Sequence, residues 1–546
     1  MIMNTEVSRY EKRWIEIIAV LLFLLGFINT ASSLFSFNMH RIKLLQEVFS
    51  YQFISGTRAL VVVAGIVSFI TAPALYRRKR VAWYIAVVIL AGSGIAHIIK
   101  GADIEEASFC ILILGALLPM YRYCNVKSDP IRTVQSTYVI GAAVIFVSVY
   151  TFAGVYVFAG SLGTRPEEYP TWQVALNALL FNVSDLQPYG KKAEFFIDSL
   201  IAINSFALIS GLTLSLSPVL ARRIPQLSSQ YFIPLVKEKA EQAIQVLTLE
   251  PKYQHFYLTN DEGEGVISYT VVNRAALAIG NPVTTMPLES FASEWIAYCE
   301  SRDWIPSAYQ AAGEFAAQLK KRGFSSVPCG VEAVIELESF SLEGKAMQGL
   351  RTARNKAQKD GWTCRTFTDE DWPQVKRINE MWLNMHGGKE NSFAMGAANP
   401  GYMLDTKATL LFDGEGKLLA FQNNIELPAR KMRSIDLMRR DPDAPKGAME
   451  YLFLHEILKA KDEGLLYYDL GYSPLAMVEN MESDDQFVSK LFTLIYNNQK
   501  RIYDFKGLHF FKSRFHPAWE TSYLIYPSRF DMPAVLLALL RLNSGR

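Results

Sequence analysis

The sequence has few of the residue patterns that build metal centres, disulfide frameworks or covalent catalysts. Its five cysteines form no CxxC pair, and its seven histidines include no HExxH spacing. Neither GxSxG nor GxxxxGK[ST] occurs, and no Ser-His-Asp or Cys-His set stands out. These absences argue against a zinc site, a nucleophilic triad and a phosphate-binding loop. We therefore expect any catalysis to orient two substrates and move protons without a covalent intermediate.

Net charge is also nearly absent, and apolar residues are distributed unevenly. Lys and Arg number 55 against 53 Asp and Glu, which leaves +2 and no global attraction to nucleic acid. Residues 1–220 hold long uncharged runs, whereas residues 230–530 have charges every few positions. A chain of 546 residues is too long for one core. We predict a membrane half followed by a water-soluble half.

Six apolar stretches are long enough, or nearly so, to cross a hydrocarbon core of about 30 Å. Within a predicted helix bundle at 1–225 they lie at 14–37, 53–75, 81–99, 104–120, 137–160 and 195–218. Lys and Arg number twelve in alternate loops and six in the opposite loops. Because basic loops stay in the cytosol, we expect the soluble half on the cytosolic side.

Two ionisable residues, Arg58 and His97, lie in or near these apolar runs. Ionisable residues inside a membrane are commonly functional. Both residues are close enough to a predicted helix end for the side chain to reach the interface, and we interpret them in that way.

From about Tyr231 the sequence alternates between strand and helix patterns. A series of strands and helices runs once and then again, which indicates two α/β units rather than one long sheet. We place the first subdomain at 226–340 and the second, which contains the candidate site, at 341–546.

A predicted helix at 342–360 is rich in basic residues, which are Lys345, Arg351, Arg354, Lys356 and Lys359. Residues three apart are neighbours on a helix, so these cations form shared faces. A solvated helix face explains the pattern, and so does a surface for an anionic partner, RNA or a lipid headgroup.

The run 435–450 joins an apolar strand, a Pro-rich loop and an apolar helix. Asp436 lies inside the strand and is followed by two arginines. Lys446 and Gly447 stand at the helix start, where free N–H groups bind an anion or a polarised carbonyl oxygen. Glu450 lies among apolar residues, so it is paired with a base or has a raised pKa. Structural ion pairing is the alternative to a reactive site here.

Aromatic residues alternate with Lys506, Lys512 and Arg514 in the stretch 503–519. A surface that stacks bases and neutralises phosphates has this composition. An interface strand that packs its rings inward has it equally, and the two alternatives stay open.

Several motifs in these places follow one another in a recognisable order. They are Leu350-Arg351…Asn355-Lys356…Gly361, Trp382 with Gly388-Lys389-Glu390…Phe393, Asp436–Glu450, Asp469-Leu470-Gly471-Tyr472-Ser473-Pro474-Leu475, and Phe505-Lys506-Gly507-Leu508…Phe511-Lys512…Phe515…Pro517…Trp519. In these motifs the sequence resembles the phosphatidylglycerol lysyltransferase family, the synthase part of the multiple peptide resistance factor proteins. The resemblance covers most of the chain and is strongest from about 340 to 527.

The resemblance implies a tandem acetyltransferase-like (GNAT-type) domain after about six transmembrane helices, in the bacterial cytoplasmic membrane with the catalytic domain in the cytosol. Family members move an amino acid from aminoacyl-tRNA to the glycerol hydroxyl of phosphatidylglycerol. Lysine is the amino acid we expect. The aminoacyl ester is already activated, so no cofactor is implied. The product is less anionic and lowers the binding of cationic antimicrobial peptides.

The residue patterns and the resemblance together assign the site residues. Proton transfer or binding of the amino group falls to Asp436 and Glu450, and contacts to anionic groups fall to Arg439 and Lys512. Further substrate-binding residues are Arg351, Asn355, Lys389, Glu390, Lys446, Gly447 and Arg514. Strict alternation would place Arg440 on the face of Asp436, so we expect the strand to end or bulge before Arg439.

The sequence departs from the family in two respects. Ala394-Met395-Gly396 replaces a small polar motif, and the chain is shorter than members with an additional flippase bundle. We expect a synthase alone, with a separate flippase as a candidate partner. One alternative is a membrane acyltransferase of the same fold that uses acyl-CoA as donor or diacylglycerol as acceptor. Another is a non-enzymatic membrane protein that binds lipid or RNA.

Overall fold

The computed structural model describes residues 9–35, 51–101, 103–158, 189–219, 228–250, 252–385, 395–477, 483–498 and 505–543. Its contacts divide the chain into two compact units. The first contains Met1–Arg223 and Glu300–Asp303, and the second contains Ile224–Cys299 and Trp304–Arg546.

The first unit consists of apolar helices. They are α1 (Arg9–Phe35), α2 (Tyr51–Tyr76), α3 (Arg80–Gly101), α4 (Ile104–Leu117), α5 (Pro130–Phe158) and α6 (Lys191–Ser215). Each of the six predicted spans overlaps one of these helices in its described residues. In the part of the chain that is described, five segments are long and apolar enough to cross a membrane, and Leu60–Tyr76 is a shorter apolar segment. This half is therefore that of a multi-pass membrane protein.

His97 lies in the interior of this unit. Its side chain is 0% exposed, and its Nε2 lies 2.9 Å from Asn29 Oδ1. The interpretation that His97 reaches the membrane interface is therefore wrong, because the ring is buried inside the bundle, where its Nε2 contacts a polar side chain of α1. The side chain of Arg58 lies outside the described side chains.

The second unit alternates short helices and strands. Its helices are α7 (Ile233–Lys239), α8 (Ala243–Leu247), α9 (Leu288–Glu300), α10 (Gly313–Lys321), α11 (Gln348–Lys359), α12 (Trp372–Met385), α13 (Pro400–Asp405), α14 (Ala448–Asp462), α15 (Gln486–Asn498), α16 (Phe505–Ser513) and α17 (Met532–Asn543). Its strands are β1 (Gln254–Asn260), β2 (Gly263–Val272), β3 (Ala275–Ile279), β4 (Val283–Thr284), β5 (Ile305–Ala311), β6 (Ser325–Glu336), β7 (Thr363–Thr366), β8 (Thr409–Phe412), β9 (Leu418–Leu427), β10 (Met432–Arg440), β11 (Tyr467–Pro474) and β12 (Ala518–Tyr526).

The twelve strands of the described residues form one sheet. Its order is β1-β2-β3-β5-β12-β6-β11-β10-β9-β8-β7, with β4 beside β2. The preference for two units over one long sheet is corrected here, because β12 returns from the end of the chain and pairs with both β5 and β6. A division into subdomains at residue 340 remains a proposal.

Helix α14 covers the part of the sheet that contains β10. It begins after Gly447, whose φ of 96° lies in the region that glycine tolerates best, and it is followed by Gly464 with φ of 81°. Its apolar face, which includes Leu452 and Ile457, belongs to the same buried cluster as Ile435 of β10. This packing holds β10 rigidly against the helix that follows it.

Candidate active site

Strands β10 and β11 are parallel and pair only at their first residues. The pairing covers residues 432–434 and 467–469, and beyond it both strands shift register against their other neighbours. Carbonyl groups that leave a ladder need another donor. Lys512 of α16 supplies it, because its Nζ donates to the carbonyl oxygens of Gly471 at 2.7 Å and Tyr472 at 2.9 Å. The candidate site lies where these two strands separate.

Asp436 follows this separation on β10. Its carboxylate accepts the N–H of Gly396 at 3.1 and 3.2 Å and the hydroxyl of Tyr402 at 2.5 Å. The backbone of Gly396 thus provides a donor in the segment where the family's small polar motif is replaced. Burial raises the pKa of Asp436, although these hydrogen bonds and the charge of Arg439 lower it in part. A carboxylate with a raised pKa accepts a proton more readily than an ordinary aspartate.

Tyr402 is a site residue that the sequence analysis missed. Burial and the neighbouring charge of Asp436 raise its pKa, so the phenol keeps its proton and donates it. It lies on α13, which begins where Asn399 Oδ1 accepts the N–H of Tyr402 at 2.9 Å. The Asn399-Pro400 pair is typical of a helix start and could have predicted α13, but no local pattern indicates the partner of the phenol.

Asn423 of β9 also supports this site and was missed. It is fully buried, and its Oδ1 accepts the N–H of Leu437 at 2.6 Å while its Nδ2 donates to Thr406 Oγ1 at 3.1 Å. A hydrogen bond from Asn423 also lowers the pKa of Asp436. Because the bond to Leu437 falls in the irregular part of β10, Asn423 holds the strand in the shape that presents Asp436.

Arg439, and not Arg440, is the buried arginine of β10. Arg439 is 2% exposed, whereas Arg440 is exposed to solvent. The pairing of β10 with β9 shifts between Ile435 and Met438, so the expected bulge is confirmed. The Arg439 guanidinium lies over the ring of Trp382, 4.4 Å from its centroid. This cation is shielded from water and acts on nearby charges more strongly than a solvated one.

Lys512 is a buried cation among carboxyl groups. Burial lowers its pKa to about 8, although the charges of Asp469 and Glu332 oppose this change. Burial and the charge of Asp469 raise the pKa of Glu332 to about 8. Asp469, whose pKa burial also raises, accepts hydrogen bonds from Ser434 Oγ at 2.6 Å and from the N–H of Gly471 at 2.8 Å. Glu332 was missed, although a lone acid in an apolar strand could have indicated it.

Glu450 pairs with a base, which was one of the two alternatives for it. Arg514 Nη1 donates to Glu450 Oε1, and the two side chains are 46% and 19% exposed respectively. The Arg514 guanidinium also lies 5.0 Å from the centroid of the Phe510 ring. The pair joins the start of α14 to the residue after α16. A catalytic role for Glu450 remains a prediction.

The basic helix α11 uses two of its cations inside the fold. Arg351 donates to the carbonyl oxygens of Leu342 and, at 2.6 Å, Gly344, so it closes the loop that precedes the helix. Lys356 Nζ donates to the carbonyl oxygen of Lys446 at 3.4 Å. These contacts give Arg351 a structural role, and its role in substrate binding remains a prediction.

The remaining predicted substrate-binding residues fall into two groups. Asn355 of α11 and Lys446, which precedes α14, are both exposed, and α11 contacts the start of α14. That contact is close, since a β-carbon on Gly447 would lie 3.4 Å from a β-carbon of α11. Lys389 and Glu390 lie outside the described residues.

The aromatic and basic stretch at 503–519 contains a helix. Helix α16 covers its first part, and β12 begins only at Ala518, so the alternative of an interface strand is wrong. The rings of Phe511 and Phe515 do turn inward and lie 5.1 and 5.6 Å from the ring of Phe453. Helical spacing, and not strand alternation, places these rings on the apolar side of the segment.

The fold and this site define a domain of the acetyltransferase type, attached to a bundle of apolar membrane helices. Residues 234–526, more than half of the chain, match the family described as "Phosphatidylglycerol lysyltransferase, C-terminal". The chain belongs to the phosphatidylglycerol lysyltransferase family.

Two relatives show how far the similarity extends. The phosphatidylglycerol lysyltransferase of Bacillus subtilis (strain 168) is 25% identical over 480 residues, which are 86% of this chain and 53% of that protein. The one of Staphylococcus epidermidis (strain ATCC 12228) is 23% identical over 287 residues, which are 52% of this chain and 34% of that protein. The chain thus spans about half, or less, of the length of these curated relatives.

A solved structure supports the fold. L-PGS from Bacillus licheniformis is similar with a TM-score of 0.52 and 25% identity, over 59% of this chain and 99% of that chain. The predicted fold class, apolar helices followed by an α/β domain of the acetyltransferase type, is confirmed.

Proposed function

We propose that this chain transfers an aminoacyl group, with lysyl as the expected one, from aminoacyl-tRNA to the glycerol hydroxyl of phosphatidylglycerol. The main support is Asp436, which lies beside Arg439 where β10 and β11 separate and has a pKa raised by burial. Membership of the family supports the reaction class, since the relatives are named phosphatidylglycerol lysyltransferases.

The reaction exchanges one ester for another. The lipid hydroxyl oxygen attacks the aminoacyl carbonyl carbon, the bond to the tRNA ribose oxygen breaks, and the hydroxyl proton ends on that ribose oxygen. Asp436 accepts this proton and returns it to the leaving oxygen. Arg439 and Lys512, which are 2% and 3% exposed, stabilise the negative charge of the oxyanion or of the lipid phosphate.

Helix α11 supports tRNA as the donor. It exposes Asn355 and Lys359, and its Lys356 contacts the exposed Lys446, so the lysines of both segments provide a local cationic surface for RNA phosphates. The same helix packs against Gly447 at the start of α14, a helix N-terminus of the kind that binds phosphate groups.

The membrane helices support a lipid acceptor. We place the second unit in the cytosol, where aminoacyl-tRNA is made, on the basis of the twelve-to-six excess of Lys and Arg in alternate loops. Adding lysine to phosphatidylglycerol would bring a positive charge to an anionic headgroup. The resulting membrane would attract cationic antimicrobial peptides less strongly.

Expression in a bacterial host without aminoacylated lipids tests this proposal. We expect mass spectrometry of the total lipids to find lysyl-phosphatidylglycerol. Asp436→Asn should lower its amount by roughly a hundredfold, and Asp443→Asn, which changes an exposed carboxylate in the following loop, should not. Another amino acid on the same lipid would correct the substrate alone. A host that accumulates the protein but no aminoacylated lipid would contradict the proposal.

A further inference from the structure

The connection between α3 and α4 brings three metal-binding side chains together in the first unit. His97 lies near the end of α3, and Asp103 and Glu106 lie at the start of α4. One ligand atom from each of the three side chains lies within 4.8 Å of the other two. The proposed transfer reaction uses none of these residues.

His97 is buried and held in one orientation. Asn29 Nδ2 donates to Ser93 Oγ at 2.9 Å, which leaves Asn29 Oδ1 to accept from His97 Nε2 at 2.9 Å. A neutral imidazole that donates from Nε2 has a lone pair on Nδ1. Among the residues that the structure describes, this Nδ1 has no hydrogen-bond partner, and Asp103 Oδ2 lies 3.9 Å from it. A lone pair that faces a carboxylate is repelled unless a cation lies between them.

Asp103 is the N-cap residue of α4 and is held beside His97 through its backbone. The backbone N–H of Asp103 donates to the carbonyl oxygen of His97 at 3.1 Å. This bond closes the connection and keeps the two side chains facing each other.

We propose that His97, Asp103 and Glu106 bind a divalent transition-metal ion such as Zn²⁺. One neutral imidazole and two carboxylates balance the charge of this ion, which matters at the end of a membrane span because uncompensated charge is costly there. Tetrahedral zinc holds such ligands at about 2.0–2.2 Å, which places two ligand atoms roughly 3.3–3.6 Å apart. Because the three ligand atoms lie within 4.8 Å of one another, the side chains need to close by roughly 1.5 Å at most.

The neighbouring residues fit this assignment. A histidine that binds a metal ordinarily donates its other ring N–H to a fixed acceptor, which here is Asn29. Glu106 is partly exposed and gives the ion a route from solvent. The bound ion would link α3 to α4 through side chains and stabilise their short connection.

Elemental analysis and thermal melting of the full chain test this site. Protein purified in detergent without a histidine tag would be stripped with a chelator and dialysed against zinc. We expect about one zinc ion per chain and a melting temperature that rises with zinc concentration. His97→Gln and Asp103→Asn should each weaken binding at least tenfold while melting like wild type in chelator. Glu105→Gln, which removes an exposed carboxylate of the same helical turn, should bind like wild type.

Two results would overturn the proposal. One is a wild-type protein that retains no more zinc than His97→Gln, and the other is a melting temperature that does not depend on zinc. His97 and Asp103 would then form an ion pair only. If His97→Gln fails to fold, Glu106→Gln serves the same comparison because its side chain is partly exposed. The zinc-binding and melting measurements do not involve lipid synthesis. Their result is therefore independent of whether the proposed transfer reaction is correct.

Discussion

Replacing Tyr402 by phenylalanine tests whether Asp436 acts as an ionised carboxylate. The substitution removes one hydroxyl, which donates to Asp436 Oδ2 at 2.5 Å, and keeps the ring that fills the space. Burial raises the pKa of Asp436, and the bond from Tyr402 is the first of the contacts that lower it again. Losing that bond therefore raises the pKa of Asp436 further. Because proton acceptance needs the ionised form, the acid limb of the rate profile should move to higher pH.

The size of the effect follows from one hydrogen bond to a charged group, which contributes about 1.5–3 kcal/mol. On the acid side of the limb, the ionised fraction of Asp436 and the turnover should fall roughly tenfold to a hundredfold. At higher pH the carboxylate is ionised in both proteins, so most of the activity should return. A change that affects only packing would lower turnover equally at every pH.

The assay follows labelled lipid formed from lysyl-tRNA by membranes between about pH 5 and pH 8. Tyr257→Phe is a matched control, because the Tyr257 hydroxyl donates to Glu264 Oε2 at 2.7 Å on the hairpin of β1 and β2. We expect this control to keep the wild-type profile. If the acid limb of Tyr402→Phe stays in place, Asp436 is not the titrating group and its assignment is wrong.

Further substitutions test the other parts of the site. Asp436→Asn should lower turnover by roughly a hundredfold, with normal abundance in the membrane. Lys512→Ala should lower turnover by a similar factor, and thermal melting should show a loss of about 3–5 kcal/mol because two buried carboxyl groups lose their cation. Gly471→Ala should lower the free energy of unfolding by about 1–3 kcal/mol. The new β-carbon would lie 3.1 Å from a carbonyl oxygen of β10, and residue 471 has a φ of 82°, which alanine tolerates poorly. Exchanging the charges, Glu450→Arg with Arg514→Glu, should restore most of the activity lost in either single reversal.

Each of these outcomes has a control or a contrary result. Lys506→Ala removes an exposed lysine from the helix of Lys512 and should change neither turnover nor melting. Wild-type melting of Lys512→Ala would show that the carboxyl groups do not depend on that cation. A Gly471→Ala protein of unchanged stability would mean that β11 relaxes around the new side chain. If the charge exchange restores nothing, Glu450 has a role beyond its pairing with Arg514.

The membrane half was predictable because its pattern is local. A helix that crosses about 30 Å of hydrocarbon needs about 20 apolar residues in succession, and the predicted spans at 81–99 and 104–120 fall on α3 and α4. The interior of the bundle was less predictable. The partner of His97 is Asn29, which stands 68 residues earlier in the chain, and the pattern of α3 alone does not indicate it.

In the sheet, too, the sequence indicated local elements but not their distant partners. The apolar strand and the apolar helix that the run 435–450 predicts are β10 and α14, since alternation and helical periodicity are local properties. The insertion of β12 between β5 and β6 was not, because the pairing of distant strands depends on which faces pack together. The strands of the two expected α/β units therefore lie in one continuous sheet.

At the candidate site, the sequence indicated charged residues but not their hydrogen-bond partners. Resemblance to the family indicated Asp436 and Arg439, and the irregularity in β10 explains why Arg439 is the buried arginine. Tyr402 and Asn423 come from other elements, and only the fold brings them to Asp436. Glu332 was visible as a single acid in an apolar strand, yet its meaning depends on the buried Lys512 beside it.

The most direct test of the central claim is synthesis by the purified full chain in vesicles of phosphatidylglycerol. Lysyl-tRNA would be the only donor, and the product would be identified by mass spectrometry. We predict lysyl-phosphatidylglycerol that forms with wild-type protein, disappears when RNase is added first, and falls by roughly a hundredfold with Asp436→Asn. Lipid acylation that resists RNase, or that needs acyl-CoA in place of charged tRNA, would contradict the account.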